Sequence, residues 1–171
     1  MNTLFSRGEL HAAVRLLASR SLIRLITEID GNGAIPPRRL SGILLDVSRH
    51  RLRRTIEAAR AHGLVRVVPG TGLELTEAGV ELADLYDASA RWARHHAYPA
   101  PTCDFSSRIS HCLRLLEPSL ATDLSGSPSH PDIEDLDSAE AEADLCRPRA
   151  LLVQWLAAHP HIAASRFELA A

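Results

Sequence analysis

The chain of 171 residues contains no lysine, few aromatics and only three cysteines. The missing lysine excludes a phosphate-loop lysine, a Schiff-base lysine and any chemistry that needs a side-chain amine, and it leaves arginine as the permanent side-chain cation. Cys103, Cys112 and Cys146 are odd in number and irregularly spaced, which argues against a disulfide framework and for free thiols in a reducing compartment. No apolar run approaches the roughly 20 residues of a membrane span, since even Leu22 to Ile29 is broken by Arg24 and Glu28. The opening MNTLFSRGELHAAV lacks a basic segment followed by an apolar core, so no signal peptide is expected and the expected location is cytoplasmic. GxSxG, HExxH, paired CxxC and a glycine-rich phosphate loop are all missing, so neither enzymatic activity nor a cofactor is expected.

What is present is an ordinary apolar content of 46 % with 23 % charged residues, the composition of a globular protein with a core. The net charge of −2 conceals a segregation. Residues 1–66 hold twelve arginines against five acids, whereas residues 67–171 hold seven arginines against sixteen acids. A basic amino-terminal part followed by an acidic remainder suits a nucleic-acid-binding head joined to an assembly or sensing part.

The basic charge concentrates in VSRHRLRRTIEAARAHGLV, residues 47–65. Leu52, Ile56 and Ala59 recur at helical spacing and anchor one face, while Arg49, His50, Arg53 and Arg54 fall largely on the other. Ser48 is placed to cap this helix and Gly63 to stop it. Ahead of it, apolar spacing predicts helices from about Glu9 to Ala18 and from Ser21 to Asp30, then a short helix from Pro37 to Leu45 that begins on a proline. A tight turn at Asp46 and Val47 makes the last two a helix-turn-helix. LVRVV, Pro69-Gly70-Thr71-Gly72 and LEL predict a two-stranded hairpin, and Thr76 starts a helix reaching Trp92. This is the element order of a winged helix. Beyond residue 98 the pattern predicts a helix from Ser106 to Leu116, a Ser/Gly/Pro linker from Leu124 to Pro131, an acidic segment from Asp132 to Leu145, and a helix from Ala150 to Ala158. The expected fold is therefore mainly α: a winged helix-turn-helix domain with a two-stranded wing over residues 1–98, plus a helical carboxy-terminal extension over residues 99–171.

The segment from Leu16 to His96, about half the chain, resembles the HxlR family of bacterial transcription regulators, a branch of the MarR-like winged-helix group. The resemblance rests on VSRHRLRRTIEAARAHGLV, on LTEAG after the hairpin, and on ARWARHH at the end of the last helix. Ser19-Arg20-Ser21 stands where the family usually has glycine-lysine-tryptophan, and the amino-terminal cysteine that serves some members as a redox sensor is missing. The resemblance implies a homodimeric, repressor-like regulator of transcription that binds double-stranded DNA. Apolar stripes at Val14 to Leu17, Ile109 to Leu116 and Leu151 to Leu156 are candidate dimer seams, and two recognition helices would then address half-sites about 34 Å apart.

An arginine in a major groove makes bidentate contacts to guanine, and neighbouring arginines hold phosphates. Arg49, His50 and Arg53 are the candidates for base edges, Arg38, Arg39, Arg54 and Arg60 for phosphates, and Ser48 for the helix start. Arg51 and Thr55 stand at an angle that turns them toward the preceding helix. The hairpin tip carries no cation, which leaves Thr71, backbone amides and Arg66 for a minor groove. His95, His96, Cys103, His111 and Cys112 lie within a short span but lack paired zinc spacing, so no metal site is expected. Cys103 and Cys112 are candidates for a redox switch, with Arg108 near enough in sequence to lower a thiol pKa. Tyr86, Trp92, Tyr98 and Trp155 would line a pocket for a small-molecule effector or pack in a core. The acidic run DIEDLDSAEAEADL is a solvated segment or a competitor of DNA for the arginine helix. Two other readings stay open, a protein-interaction module that docks an acidic partner and a thiol- or ligand-responsive sensor.

Overall fold

Ser6 opens the first helix with a capping box: its Oγ accepts from the Glu9 amide at 3.2 Å, and the Glu9 carboxylate accepts from the Ser6 amide at 2.7 Å. In this computed structural model, which describes residues 6–125 and 139–164, the elements run α1 (Arg7–Leu17), α2 (Arg20–Asn32), α3 (Pro37–Ile43), α4 (Arg49–Ala61), β1 (Val65–Val68), β2 (Gly72–Leu75), α5 (Glu77–His95), α6 (Phe105–Ser125), α7 (Ala139–Asp144), α8 (Cys146–Ala158) and α9 (Pro160–Ala164). The fold is mainly helical with one small antiparallel sheet. None of the described helices is long and apolar enough to cross a membrane.

Local chemistry fixes the path around α4. Pro37 supplies the first turn of α3, where its missing N–H costs nothing. Ser48 Oγ accepts from the Arg51 amide at 3.3 Å and starts α4. The helix ends in a Schellman motif: Gly63 takes φ 69°, its amide donates to the Arg60 carbonyl at 3.0 Å, and the Leu64 amide donates to the Ala59 carbonyl at 2.8 Å. Val68-Pro69-Gly70-Thr71 then forms the hairpin turn, closed by the Thr71 amide on the Val68 carbonyl at 3.1 Å with Gly70 at φ 79°. Val65 pairs with Leu75 and Arg66 with Glu74 across the two strands. Ile35, ahead of α3, adds a bridge to Leu73 with both amides donating at 2.9 Å, and this hooks the hairpin to the α2–α3 connection. Thr76 Oγ1 accepts from the Gly79 amide at 3.2 Å and donates to the Gly63 carbonyl at 2.5 Å, so one side chain caps α5 and ties it to the end of α4.

The core is one continuous cluster that includes residues on both sides of position 98. Leu22, Ile23, Leu25, Ile26 and Ile29 of α2 are buried, as are Leu82, Leu85 and Tyr86 of α5. Ile109, Cys112, Leu113, Leu116 and Leu120 form the helical stripe that α6 presses onto α5, α1 and α2. Each such aliphatic side chain contributes about 1.5–3 kcal/mol over an exposed one. This explains why α6 does not stop before Pro118, as the sequence pattern predicts: burial on either side offsets the roughly 3 kcal/mol that an interior proline costs. The last long helix likewise begins earlier than expected, at Cys146, with Pro148 in its first turn. α8 packs on α5 and α9 on α1. Val14, Leu17, Ile109, Leu113, Leu116, Leu152 and Leu156 of the three candidate dimer stripes are buried inside the single chain, whereas Leu115 and Leu151 are half-buried and Val153 is exposed. Most of the apolar surface of these stripes is thus used internally. The Ser/Gly/Pro linker beyond Ser125 and the acidic run up to residue 138 lie outside the described residues.

Candidate nucleic-acid interface

α4 is mounted on α2 through the side opposite its arginines. Leu52, Thr55, Ala58 and Ala59 are buried, and the Thr55 and Ser21 hydroxyls hydrogen-bond each other at 2.9 Å in the α2–α4 seam. Thr55 therefore faces α2 and not the immediately preceding α3 that its angle suggests, whereas Arg51 is exposed. Ile56 is only half-buried, and Ala58 takes a buried place that the expected stripe did not give it. The turn before α4 is held electrostatically as well. Asp46 receives Arg20 at 3.4 Å and Arg24 at 3.5 Å, both from α2, and Arg20 also reaches Asp104 at 3.6 Å. The Asp104 carboxyl lies below its ordinary pKa of 3.8 chiefly through the Ser107 hydroxyl; burial opposes this, and the Ser107 amide and Arg20 help.

Arg49, Arg53 and Arg60 follow one another at i, i+4 and i+11, within an arc of about 40° on the solvent side of α4. His50 is exposed one step around the helix, and Arg54 is partly buried. On α3, Arg38 and Arg39 are both exposed. Among the described residues, the guanidinium groups of Arg38, Arg39, Arg49, Arg51 and Arg60 have no acidic partner. Arg53 does: its Nε lies 3.0 Å from Glu57 Oε1, a turn further along the same face. With 82 % of the Arg53 side chain exposed, the pair is worth less than about 1 kcal/mol and is readily exchanged for another anion. Ser48 is exposed but its hydroxyl is occupied by capping, so its contribution is to orient the first turn, whose free amides favour an anion.

The hairpin offers less than the sequence expectation gave it. Arg66 is clamped across the strands to Glu74, its register partner. The Thr71 amide is consumed by the turn, leaving the exposed Thr71 hydroxyl as the polar group at the tip. Gly72 stands so close to the Ile35–Pro36 backbone that a Cβ there would come within 2.5 Å of the Ile35 carbonyl carbon, which fixes how the hairpin lies beside α3.

Other expected groups separate. Cys112 is buried in the core, and burial pushes its thiol up to about 12 despite the Ser89 hydroxyl, which disfavours the thiolate that a redox switch needs. Arg108, the proposed activator, instead donates to the Pro101 carbonyl at 2.9 Å. Cys103 is half-buried. Three of the four aromatics tie elements of the fold together. Tyr86 is fully buried and donates to the Leu17 carbonyl at 2.7 Å, Trp92 donates to Ala141 at 2.9 Å, and Trp155 donates to Ala78 at 3.0 Å. Each indole or phenol thus pins one helix to another. A cleft of about 420 Å³ opens elsewhere, between Arg20, Arg24, Leu45, Asp46 and Phe105, with its cations already paired. Of the histidines and cysteines clustered in sequence, His95 and His96 meet at the end of α5 together with Asp144, which sequence proximity could not reveal.

No protein-family model, curated protein or solved structure matches the chain.

Proposed function

We propose that α2 to α5 form a winged helix-turn-helix domain that binds double-stranded DNA, with α4 as the recognition helix in the major groove and the hairpin as the wing. The observation that carries this reading is the row of exposed arginines on α3 and α4 that the fold neither buries nor pairs with acids. A protein gains nothing in stability from such a row; a polyanion gains a ladder of charge-assisted hydrogen bonds from it. Arg49 is the leading group for base edges, since it opens α4 beside the capped amino terminus and is free. Arg53 joins it on release from Glu57, with His50 flanking. Arg38, Arg39 and Arg60 hold phosphates. Arg66 and Thr71 make a minor contribution, because the wing's cation is neutralised by Glu74.

In this reading the chain is a cytoplasmic, non-enzymatic regulator of transcription akin to the HxlR family. Homodimer formation is implied chiefly by that resemblance, since most of the apolar stripes that suggested it are buried inside the chain. The test is selection of bound duplexes from a random pool by the purified protein, with an Arg49→Ala/Arg60→Ala variant as control. A recovered sequence motif that the variant fails to enrich supports the reading, and a motif with two half-sites supports the dimer. Absence of salt-sensitive duplex binding overturns both in favour of a protein-docking module.

A further inference from the structure

α5 ends on two consecutive histidines, and α7 ends on Asp144 beside them although 48 residues separate Asp144 from His96. The ligand-capable atoms of His95, His96 and Asp144 all lie within 4.8 Å of one another. His96 Nε2 and Asp144 Oδ2 are 3.2 Å apart. Two donors at zinc-ligand distance from a tetrahedral ion stand about 3.3 Å apart, so that pair already has the spacing of adjacent ligands. The longest separation is removed by rotating exposed side chains, and among the described residues the His95 ring nitrogens have no hydrogen-bond partner.

The surroundings fit a cation. His96 is the rigid member, with 11 % of its side chain exposed and its ring 5.3 Å from that of Trp92. Trp92 in turn donates to the Ala141 carbonyl and so fixes α7, the element that carries Asp144. The three donors converge at the carboxy terminus of the 19-residue α5, where the helix dipole favours positive charge. Asp144 has half of its side chain in solvent, which leaves a path for an ion and room for a water ligand.

We propose that His95, His96 and Asp144 form a binding site for a divalent transition-metal ion, zinc foremost, that staples α7 to the end of α5. Two imidazoles with one carboxylate are a ligand set of intermediate softness that suits zinc better than calcium or magnesium, which take oxygen shells. Three protein ligands leave the fourth position to water. The site stands apart from the arginine face and does not rest on the DNA-binding reading.

The test is calorimetric titration of the chelator-stripped full chain with zinc, paired with the absorption spectrum of the cobalt-loaded protein. The expected result is one tight equivalent, a raised melting temperature, and a cobalt spectrum without thiolate charge-transfer bands. His95→Ala and Asp144→Asn, each checked for unchanged helical circular dichroism, weaken binding by more than about tenfold, a loss that even outer-shell changes produce at metal sites. His161→Ala, in the separate cluster near His62 and His159, leaves it unchanged. No stoichiometric uptake, wild-type affinity in both site variants, or thiolate bands in the cobalt spectrum would overturn the proposal.

Discussion

Helices α4 and α5 are both capped by a hydroxyl, yet they spend their polar residues in opposite ways. α5 is packed by α2, α6 and α8 and turns acids, Glu77, Glu81, Asp84 and Asp87, to solvent. Its charge is a solvated face of a structural element. Asp30 of α2, raised above its ordinary value by burial first and then by Asp87 and Asp84, shows that this acidic side carries a small electrostatic cost. α4 is held on one side only, by α2 and the strand that follows it, and turns cations to solvent. The difference separates residues the fold requires from residues it merely carries, and function is to be sought in the second group.

That separation is broken most severely through the shared core. Leu113→Ala, in the middle of α6, is expected to cost about 2–5 kcal/mol and to lower one cooperative unfolding transition. Calorimetry that resolves two transitions, with only one of them shifted, would make α6 a separate extension after all. Arg49→Ala should do the reverse, leaving the melting temperature in place while weakening binding to a selected duplex by about 1–3 kcal/mol. An equal loss on random duplex, measured by fluorescence anisotropy, would move Arg49 from base edges to phosphates.

The far end of α4 gives a third and smaller effect. Burial, aided by His161, holds the His62 imidazole below its ordinary value of 6.5. The unfolded chain takes up a proton that the folded chain still refuses, so the contribution is fully present above about pH 6.5 and is lost as the pH falls toward the folded value. A His62→Gln variant should flatten the acid limb of the stability profile; an unaltered limb would remove His62 from the account. The smallest change is expected of Arg39→Ala, which should reduce the salt slope of duplex binding by about one while sparing sequence preference.

Much of the architecture was legible because it rests on local chemistry. Ser48, Gly63, Thr76 and the Pro69-Gly70 turn each perform the task that their side chains or backbone freedom suggest. The Arg53–Glu57 pair is also a local i, i+4 event. What stayed hidden depends on partners distant in sequence. Ile35 meets Leu73, Arg66 meets Glu74 only once the hairpin register is set, and α6 survives Pro118 because of what it packs against. The candidate interface was thus readable as a charged helix, but which arginines remained available was not. The same holds for His95 and His96, whose third companion comes from α7.

The most direct test of the central claim is the dependence of duplex affinity on salt, compared between the wild-type chain and an Arg38→Ala/Arg39→Ala/Arg49→Ala/Arg60→Ala variant of unchanged melting temperature. The account predicts tight low-salt binding by the wild type, with a log–log slope steeper than that of the variant by roughly 3–4. Equal slopes, or no duplex binding by the wild type, would contradict it.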